Sequence, residues 1–175
     1  MRNELTAVEK QRMYAAAAAA DEVATVTDPL EAAVKKNPND LQAHMELAIA
    51  YLEVAKALTG DVGFRHYALL GDAQIDEVLR IDANNWDALF LRFNSYANWP
   101  TYMAKLRASI EGLEALAVRQ EIGPPEPKYV GVYTTLANLY FGLADTQKAI
   151  LTLQRAITLY PSDQDLRRAL ASYQK

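Results

Sequence analysis

The sequence has no cysteine, two histidines, and only seven glycines and seven prolines among its 175 residues. Without cysteine there is no disulfide framework, thiolate zinc site or cysteine nucleophile. His44 and His66 stand outside any recognisable cluster of acids, so we predict no catalytic group, metal site or cofactor. Glycine and proline break helices, whereas alanine, which occurs thirty times, is the strongest helix former. This balance predicts an all-α protein.

The sequence also lacks a long apolar run and an excess of basic charge. No uninterrupted apolar run approaches the ~18 residues that a membrane helix needs. The charged first twenty residues do not predict a signal peptide, and both cytoplasm and periplasm remain open. With 18 basic and 22 acidic residues, the net charge of −4 argues against nucleic-acid binding. A hydrophobic content of 51% predicts a folded protein rather than a disordered tail.

The segment 128–163 carries two apolar patterns with helical spacing, joined by a short turn. Residues three or four apart share one face of a helix, small residues let two helices approach closely, and proline ends the second helix. The residues that fit this description are Tyr133, Leu136, Ala137, Tyr140, Ala149, Leu153, Ala156 and Pro161. The segment therefore predicts a helical hairpin.

This hairpin resembles the tetratricopeptide repeat, a 34-residue helix–turn–helix with a W-x₂-L-G-x₂-Y…A-x₃-F…P pattern. Tyr133 takes the Trp place, Ala137 the small residue and Leu153 the large apolar place. The unit 38–85 repeats the spacing with Leu47, Ala48 and Tyr51, and has His44 at the Trp place, which predicts a core-packed imidazole.

The rest of the chain fits the same pattern less closely. In the unit 86–127, Phe93 stands where a small residue is expected, and we predict that its return helix begins at Pro100 and buries Leu106. Residues 3–37 look like a degenerate leading hairpin, in which the run Ala15–Ala20 stays unexplained. Residues 164–175 look like a capping helix.

The resemblance implies one domain over 1–175. Its fold class is an all-α solenoid of about four antiparallel hairpins in a right-handed superhelix. In this family the concave groove, lined by the first helix of each unit, binds peptides or protein segments. The positions that match the lining are Gln42, Met45, Ile49, Leu52, Glu53, Asp87, Phe90, Asn94, Asn98, Thr134, Asn138 and Phe141.

Some members of the family hold a partner's carboxylate with lysines and asparagines. Here Asn94 and Asn138 fill asparagine places, but Met45, Phe90 and Thr134 fill the lysine places. A carboxylate would find no cation, so capture of a carboxylate tail is not predicted. Amides can bond a peptide backbone as donor and acceptor, and the groove is predicted to bind a protein or peptide segment with apolar anchors.

Two alternatives remain open. Trp99 and Tyr102, in the loop before the second helix of the unit 86–127, form an interaction hot spot or pack under their own hairpin. The chain is either a non-enzymatic interaction module or a self-assembling scaffold that forms homo-oligomers through hairpin or terminal-helix faces. An enzyme is the least supported reading, because no nucleophile–base pair is recognisable.

Overall fold

The computed structural model of the chain describes residues 5–58 and 60–174. Within them it contains nine α-helices, two short 3₁₀ helices and no strand, so the prediction of an all-α protein is confirmed. The helices are α1 (Ala7–Ala19), α2 (Ala24–Lys36), α3 (Leu41–Ala57), α4 (Asp61–Ile81), α5 (Trp86–Tyr96), α6 (Leu106–Ile122), α7 (Gly131–Gly142), α8 (Thr146–Leu159) and α9 (Gln164–Tyr173).

The chain forms two compact units, Met1–Ala88 and Leu89–Lys175, and the helix α5 runs from the first into the second. A repeat array divides readily in this way because each hairpin packs only on its neighbours. The predicted repeat boundaries remain predictions. Of the residues assigned to them, 1–4, Thr59 and Lys175 lie outside the described part of the chain.

Most helix starts are set by a polar side chain that accepts a hydrogen bond from the first turn. Thr6 and Glu9 form a reciprocal capping box before α1. Asp40, Asp145 and Asp163 cap α3, α8 and α9 in the same way, each accepting from a backbone N–H of its helix. These aspartates fix where three helices begin after their turns.

The turn between α7 and α8 is held by a left-handed residue that is not glycine. Ala144 has a φ of 62°, and the N–H of Asp145 donates to the carbonyl of Tyr140 at 2.9 Å. This hydrogen bond, from the sixth residue of the turn back to the first, defines a Schellman motif at the C-terminus of α7. Glycine is the usual residue at the left-handed position of this motif. The tight turn allows α8 to fold back directly on α7.

The alanine run in α1 is explained by packing in the first unit. Ala17 and Ala18 are buried, and Ala18 joins Tyr14, Ala50 and Val54 in one apolar cluster. The small side chains bring α1 close to α3, while Ala15, Ala16, Ala19 and Ala20 face outward. One face of the alanine run therefore packs against α3.

The hairpin of α3 and α4 places a leucine against a glycine. A Cβ atom at Gly71 would lie 2.8 Å from Cγ of Leu52 and 3.2 Å from the backbone oxygen of Ala48. Such distances are too short for any side chain at position 71. Gly71 and Leu52 are both buried as a result.

The irregular middle repeat has the same arrangement, with a large residue on its first helix and a glycine on its second. Phe93, which occupies the small position of the family pattern, lies over Gly112 of α6, where a Cβ would be 2.3 Å from Cγ of the ring. Ser109 of α6 donates a hydrogen bond to the carbonyl of Phe93 at 2.7 Å. The glycine on α6 therefore compensates for the phenylalanine on α5.

The predicted start of the second helix in this repeat is wrong. Pro100 precedes a 3₁₀ turn, Thr101–Met103, which ends at Ala104 in the left-handed region with a φ of 53°. The left-handed residue breaks the helical path, and α6 begins only at Leu106. Leu106 is 36% exposed rather than buried, because it lies in the first turn after this break.

The pairing of Phe93 with Gly112 predicts the effect of a single methyl group. Gly112→Ala should lower the free energy of unfolding by about 1–2 kcal/mol, because the overpacking cost exceeds the gain in helix propensity. Urea denaturation followed by circular dichroism measures the change.

The matched control is Gly142→Ala at the end of α7, where no neighbouring atom lies within 4 Å of the added Cβ. This variant should be neutral or more stable by up to about 1 kcal/mol. Equal effects of the two substitutions would show that Phe93 moves aside without cost.

Candidate functional site

A polar cleft lies in the second unit where the last turn of α5 faces α7. It has a volume of about 400 Å³ and is lined by Asn94, Ala97, Asn98, Thr135, Asn138 and Leu139. All six lining residues are uncharged, and Asn94, Asn98 and Asn138 are among the groove positions that the resemblance implies. We call it the α5/α7 cleft.

The amide of Asn94 is held in one orientation by α7. The hydroxyl of Thr135 donates to Oδ1 of Asn94 at 2.7 Å, which leaves the NH₂ group of this amide for another acceptor. Nδ2 of Asn98 donates to the backbone carbonyl of Asn94 at 3.2 Å. Because the nitrogen of the Asn98 amide is bonded to this carbonyl, Oδ1 of Asn98 remains to accept a hydrogen bond from a ligand.

The amide of Asn138 is held from the other side of α7 by the helix α9. The hydroxyl of Tyr173 donates to Oδ1 of Asn138, and the ring of Tyr173 stacks on Phe141. The two ring centroids are 4.4 Å apart and the planes differ by 7°. The NH₂ group of Asn138 therefore remains for an acceptor, as it does in Asn94.

Phe90 and Thr134, two other predicted residues of the second unit, make contacts within the protein. Phe90 contacts Tyr129 edge to face at 6.0 Å between centroids and fills the space at Gly131, where a Cβ would lie 2.9 Å from its ring. The hydroxyl of Thr134 donates to the carbonyl of Gly131 at 3.2 Å. Phe90 therefore positions α7 beside α5, whereas the hydrogen bond of Thr134 lies within α7.

The predicted residues on α3 in the first unit are dispersed among different contacts. Gln42 is exposed and donates to Glu46 at 3.1 Å, and Glu53 accepts from Gln11 of α1 at 3.1 Å. Met45 is half-buried, Ile49 is exposed, and Asp87, at the start of α5, is exposed. Gln42 and Glu46 border a separate cleft between α1, α2 and α3, of about 690 Å³.

Two candidates are corrected by their burial. Leu52 is 4% exposed, because it fills the space over Gly71 inside its hairpin, and it does not line a groove. Trp99 is 8% exposed and packs edge to face on Tyr96 at 4.8 Å, so it is not a surface hot spot. Tyr102 is 50% exposed.

The histidines have ordinary structural positions. His44 is 3% exposed, with Nδ1 2.7 Å from Oε1 of Gln74 and Nε2 3.0 Å from the carbonyl of Pro38, which confirms the predicted core packing. The exposed His66 contacts the ring of Tyr67. Among residues 5–58 and 60–174 no three histidine or acidic side chains come together as a metal site would require.

Sequence reasoning missed Thr135, Leu139 and Tyr173. Thr135 is the neighbour of the predicted Thr134, but its partner Asn94 lies 41 residues earlier. The sequence assigns Tyr173 only to a capping helix, and it is 35 residues from Asn138. Spacing within one repeat gives no signal for bonds that join different repeats.

A group of ion pairs joins α6 to α8 in the second unit. Arg155 of α8 bonds Glu114 at 3.1 Å and Glu121 at 2.9 Å. Tyr140 donates to Glu114 at 3.0 Å, and Tyr133 contacts Glu121 at 3.4 Å. Burial, together with the charge of Glu114, raises the pKa of Tyr140 to about 12. Burial raises the pKa of Tyr133 as well, with Glu121 adding to it.

Comparison with known proteins identifies the fold. The tetratricopeptide repeat family matches residues 130–173. The crystal structure of TTC0263, a thermophilic TPR protein of Thermus thermophilus, is similar over 94% of this chain and 79% of that one, with a TM-score of 0.69 and 18% identity. The crystal structure of MamA is similar over 98% of this chain and 84% of that one, with a TM-score of 0.60 and 13% identity.

No curated protein matches the sequence. The family match over residues 130–173 and the two structures nevertheless agree with the repeat spacing, and the chain has an α-solenoid fold of the kind found in tetratricopeptide repeat proteins. This fold suggests a protein–protein interaction or scaffold module, and proteins of the family are typically non-enzymatic. In the described residues no helix is long and apolar enough to span a membrane.

The environment of Tyr140 predicts a loss of stability at high pH. An unfolded tyrosine ionises near pH 10, whereas folded Tyr140 keeps its proton to about 12. Between these values the folded state binds more protons than the unfolded state, so the stability from this group falls as the pH rises. In urea denaturation from pH 8 to 11.5, Tyr140→Phe should show a shallower decline than the wild type.

At pH 8 the same variant should be less stable by about 1 kcal/mol, since it loses the hydrogen bond to Glu114. Identical pH slopes for the variant and the wild type would exclude Tyr140 as a source of the decline.

Proposed function

We propose that the protein is a non-enzymatic interaction module that binds an extended segment of a protein partner in the α5/α7 cleft. The observation that carries this proposal is the fixed orientation of Asn94 and Asn138. Each amide uses its oxygen inside the protein, through Thr135 and Tyr173, and keeps its NH₂ group as a donor.

The donors and acceptors of the cleft suit a peptide backbone. An extended segment presents carbonyl oxygens and N–H groups in alternation along its length. The NH₂ groups of Asn94 and Asn138 would donate to two carbonyls, and Oδ1 of Asn98 would accept from one N–H. Pre-oriented amides lose little freedom on binding, which favours affinity.

The chemistry of the lining also favours an uncharged segment. The α5/α7 cleft has no cation to bond a carboxylate and no acid to bond an amine among its lining residues. Ala97 and Leu139 add apolar surface between the asparagines. A volume of about 400 Å³ is adequate for a few residues of the partner.

The test is a selection of short random peptides against the wild-type protein, followed by calorimetric titration of the enriched peptides. Asn94→Ala combined with Asn138→Ala should weaken binding at least about tenfold, because two hydrogen bonds to the backbone are lost. Asn84→Ala, in an exposed turn outside the cleft, is the matched control and should bind as the wild type does. Peptides that bind the double variant unchanged would refute the proposal.

Self-assembly is a second candidate, which rests on a different surface of the same unit. An apolar cleft of about 500 Å³ is lined by Ala104, Leu106, Ile110 and Leu143, with Arg107 and Glu111 at its edge. Leu143 is 51% exposed. Exposed apolar surface of this kind supports contact between copies of the chain.

This candidate predicts a mass that rises with concentration in light scattering. Leu143→Asp should then keep the protein monomeric, because a carboxylate in an apolar interface is desolvated without a partner. Leu151→Asp, at a leucine of similar exposure on α8, is the control and should assemble normally. A wild-type protein that stays monomeric at high concentration excludes the scaffold.

A further inference from the structure

Tyr173 already makes, from within the chain, the contacts that an aromatic residue of a ligand would make. Its hydroxyl bonds Oδ1 of Asn138, and its ring covers one face of Phe141 in a parallel stack at 4.4 Å. Asn138 lines the α5/α7 cleft. Phe141 lies one turn further along α7, where it is still 46% exposed. Beside the cleft, Phe141 and Asn138 therefore hold an aromatic ring that the chain itself supplies.

The helix α9 does not depend on this contact for its position. Leu166, in its first turn, is 1% exposed, and Asp163 caps its start by accepting from the N–H groups of Asp165 and Leu166. Tyr173 lies in the last turn of the helix, two turns beyond Leu166. Helix ends are the first parts of a helix to open. The tyrosine can leave its place while the anchor at Leu166 holds.

We propose that Tyr173 is a displaceable stand-in for an aromatic residue of the partner segment, which takes its place on Phe141 and Asn138 when it binds. This inference rests on the proposed function. The partner residue is tyrosine in preference to phenylalanine, because Oδ1 of Asn138 receives a hydroxyl proton in the occupied state. Leucine has neither a flat ring for the stack nor a donor.

Occupancy by Tyr173 also regulates the site. A ligand that requires the place of Tyr173 on Phe141 and Asn138 binds only the fraction of molecules in which Tyr173 is out, and its apparent affinity is lowered by that fraction. Removal of the internal competitor should therefore tighten binding of an aromatic ligand. A tyrosine with a purely structural role would keep its place in the wild-type protein, so release of its ring by an aromatic ligand distinguishes a displaceable tyrosine from a structural one.

The probe is N-acetyl-L-tyrosinamide, with N-acetyl-L-leucinamide as its apolar counterpart, titrated by NMR into protein with labelled aromatic rings. In the wild type the tyrosine probe should release the Tyr173 ring to a solvent-exposed chemical shift, and the leucine probe should not. Tyr173→Ala should bind the tyrosine probe about tenfold more tightly. Tyr173→Phe, which loses only the bond to Asn138, should give an intermediate gain.

The matched control is Gln174→Ala, at the exposed residue that follows α9, which should bind as the wild type does. The proposal is overturned if the Tyr173 ring of the wild type stays in place at saturating probe, or if Tyr173→Ala binds no more tightly. Should Tyr173→Ala prove unfolded, the wild-type ring shift and Tyr173→Phe decide the question by the same criteria.

The experiments distinguish a failure of the displaceable-tyrosine proposal from a failure of the proposed function. Selected peptides that depend on Asn94, together with an immobile Tyr173 ring, retain the peptide-binding cleft and refute the displaceable tyrosine. Ring release by the tyrosine probe, with no peptide dependent on Asn94, retains the displaceable tyrosine and refutes the extended-segment proposal.

Discussion

The close approach of two helices within a hairpin is the constraint on which the rest of this structure depends. Backbones at that distance leave no space for two ordinary side chains, so a large residue must face a residue without one. Leu52 faces Gly71 in the first unit, and Phe93 faces Gly112 in the second. The second pair brings α5 and α6 together in a repeat whose sequence departs most from the family pattern.

This constraint also explains how far the sequence alone could be interpreted. Composition and periodicity predicted the helices, because helix propensity and helical spacing involve only residues that are close in sequence. The spacing of residues along one helix, however, shows which residues share a face and does not show which residues of other helices cover that face. Leu52 has the spacing of a groove residue and is buried because Gly71 lies opposite. Trp99 is covered in the same way, by Tyr96.

For the asparagines of the candidate site, the sequence indicates which positions to consider but not how the amides are oriented. The resemblance indicated Asn94 and Asn138 as groove positions, and both line one cleft in the structure. Their orientation comes from Thr135 and Tyr173, which belong to other helices. An amide without such a partner can turn either end outward. The directional chemistry of the cleft is thus a tertiary property that no single repeat contains.

In the second unit the ion pairs of Arg155 lie outside the uncharged α5/α7 cleft. Arg155 lies between Glu114 and Glu121, so the interior charges near α7 are used to join α6 to α8. The opposite side of α7 carries the uncharged α5/α7 cleft, and the residue at the family's lysine place, Phe90, packs over Gly131. Charge attracts partners over long distances, and the lining of this cleft carries none. In the function we propose, a cleft of oriented amides beside a stacked ring would select by hydrogen-bond geometry and by shape, which suits an uncharged segment bearing an aromatic side chain.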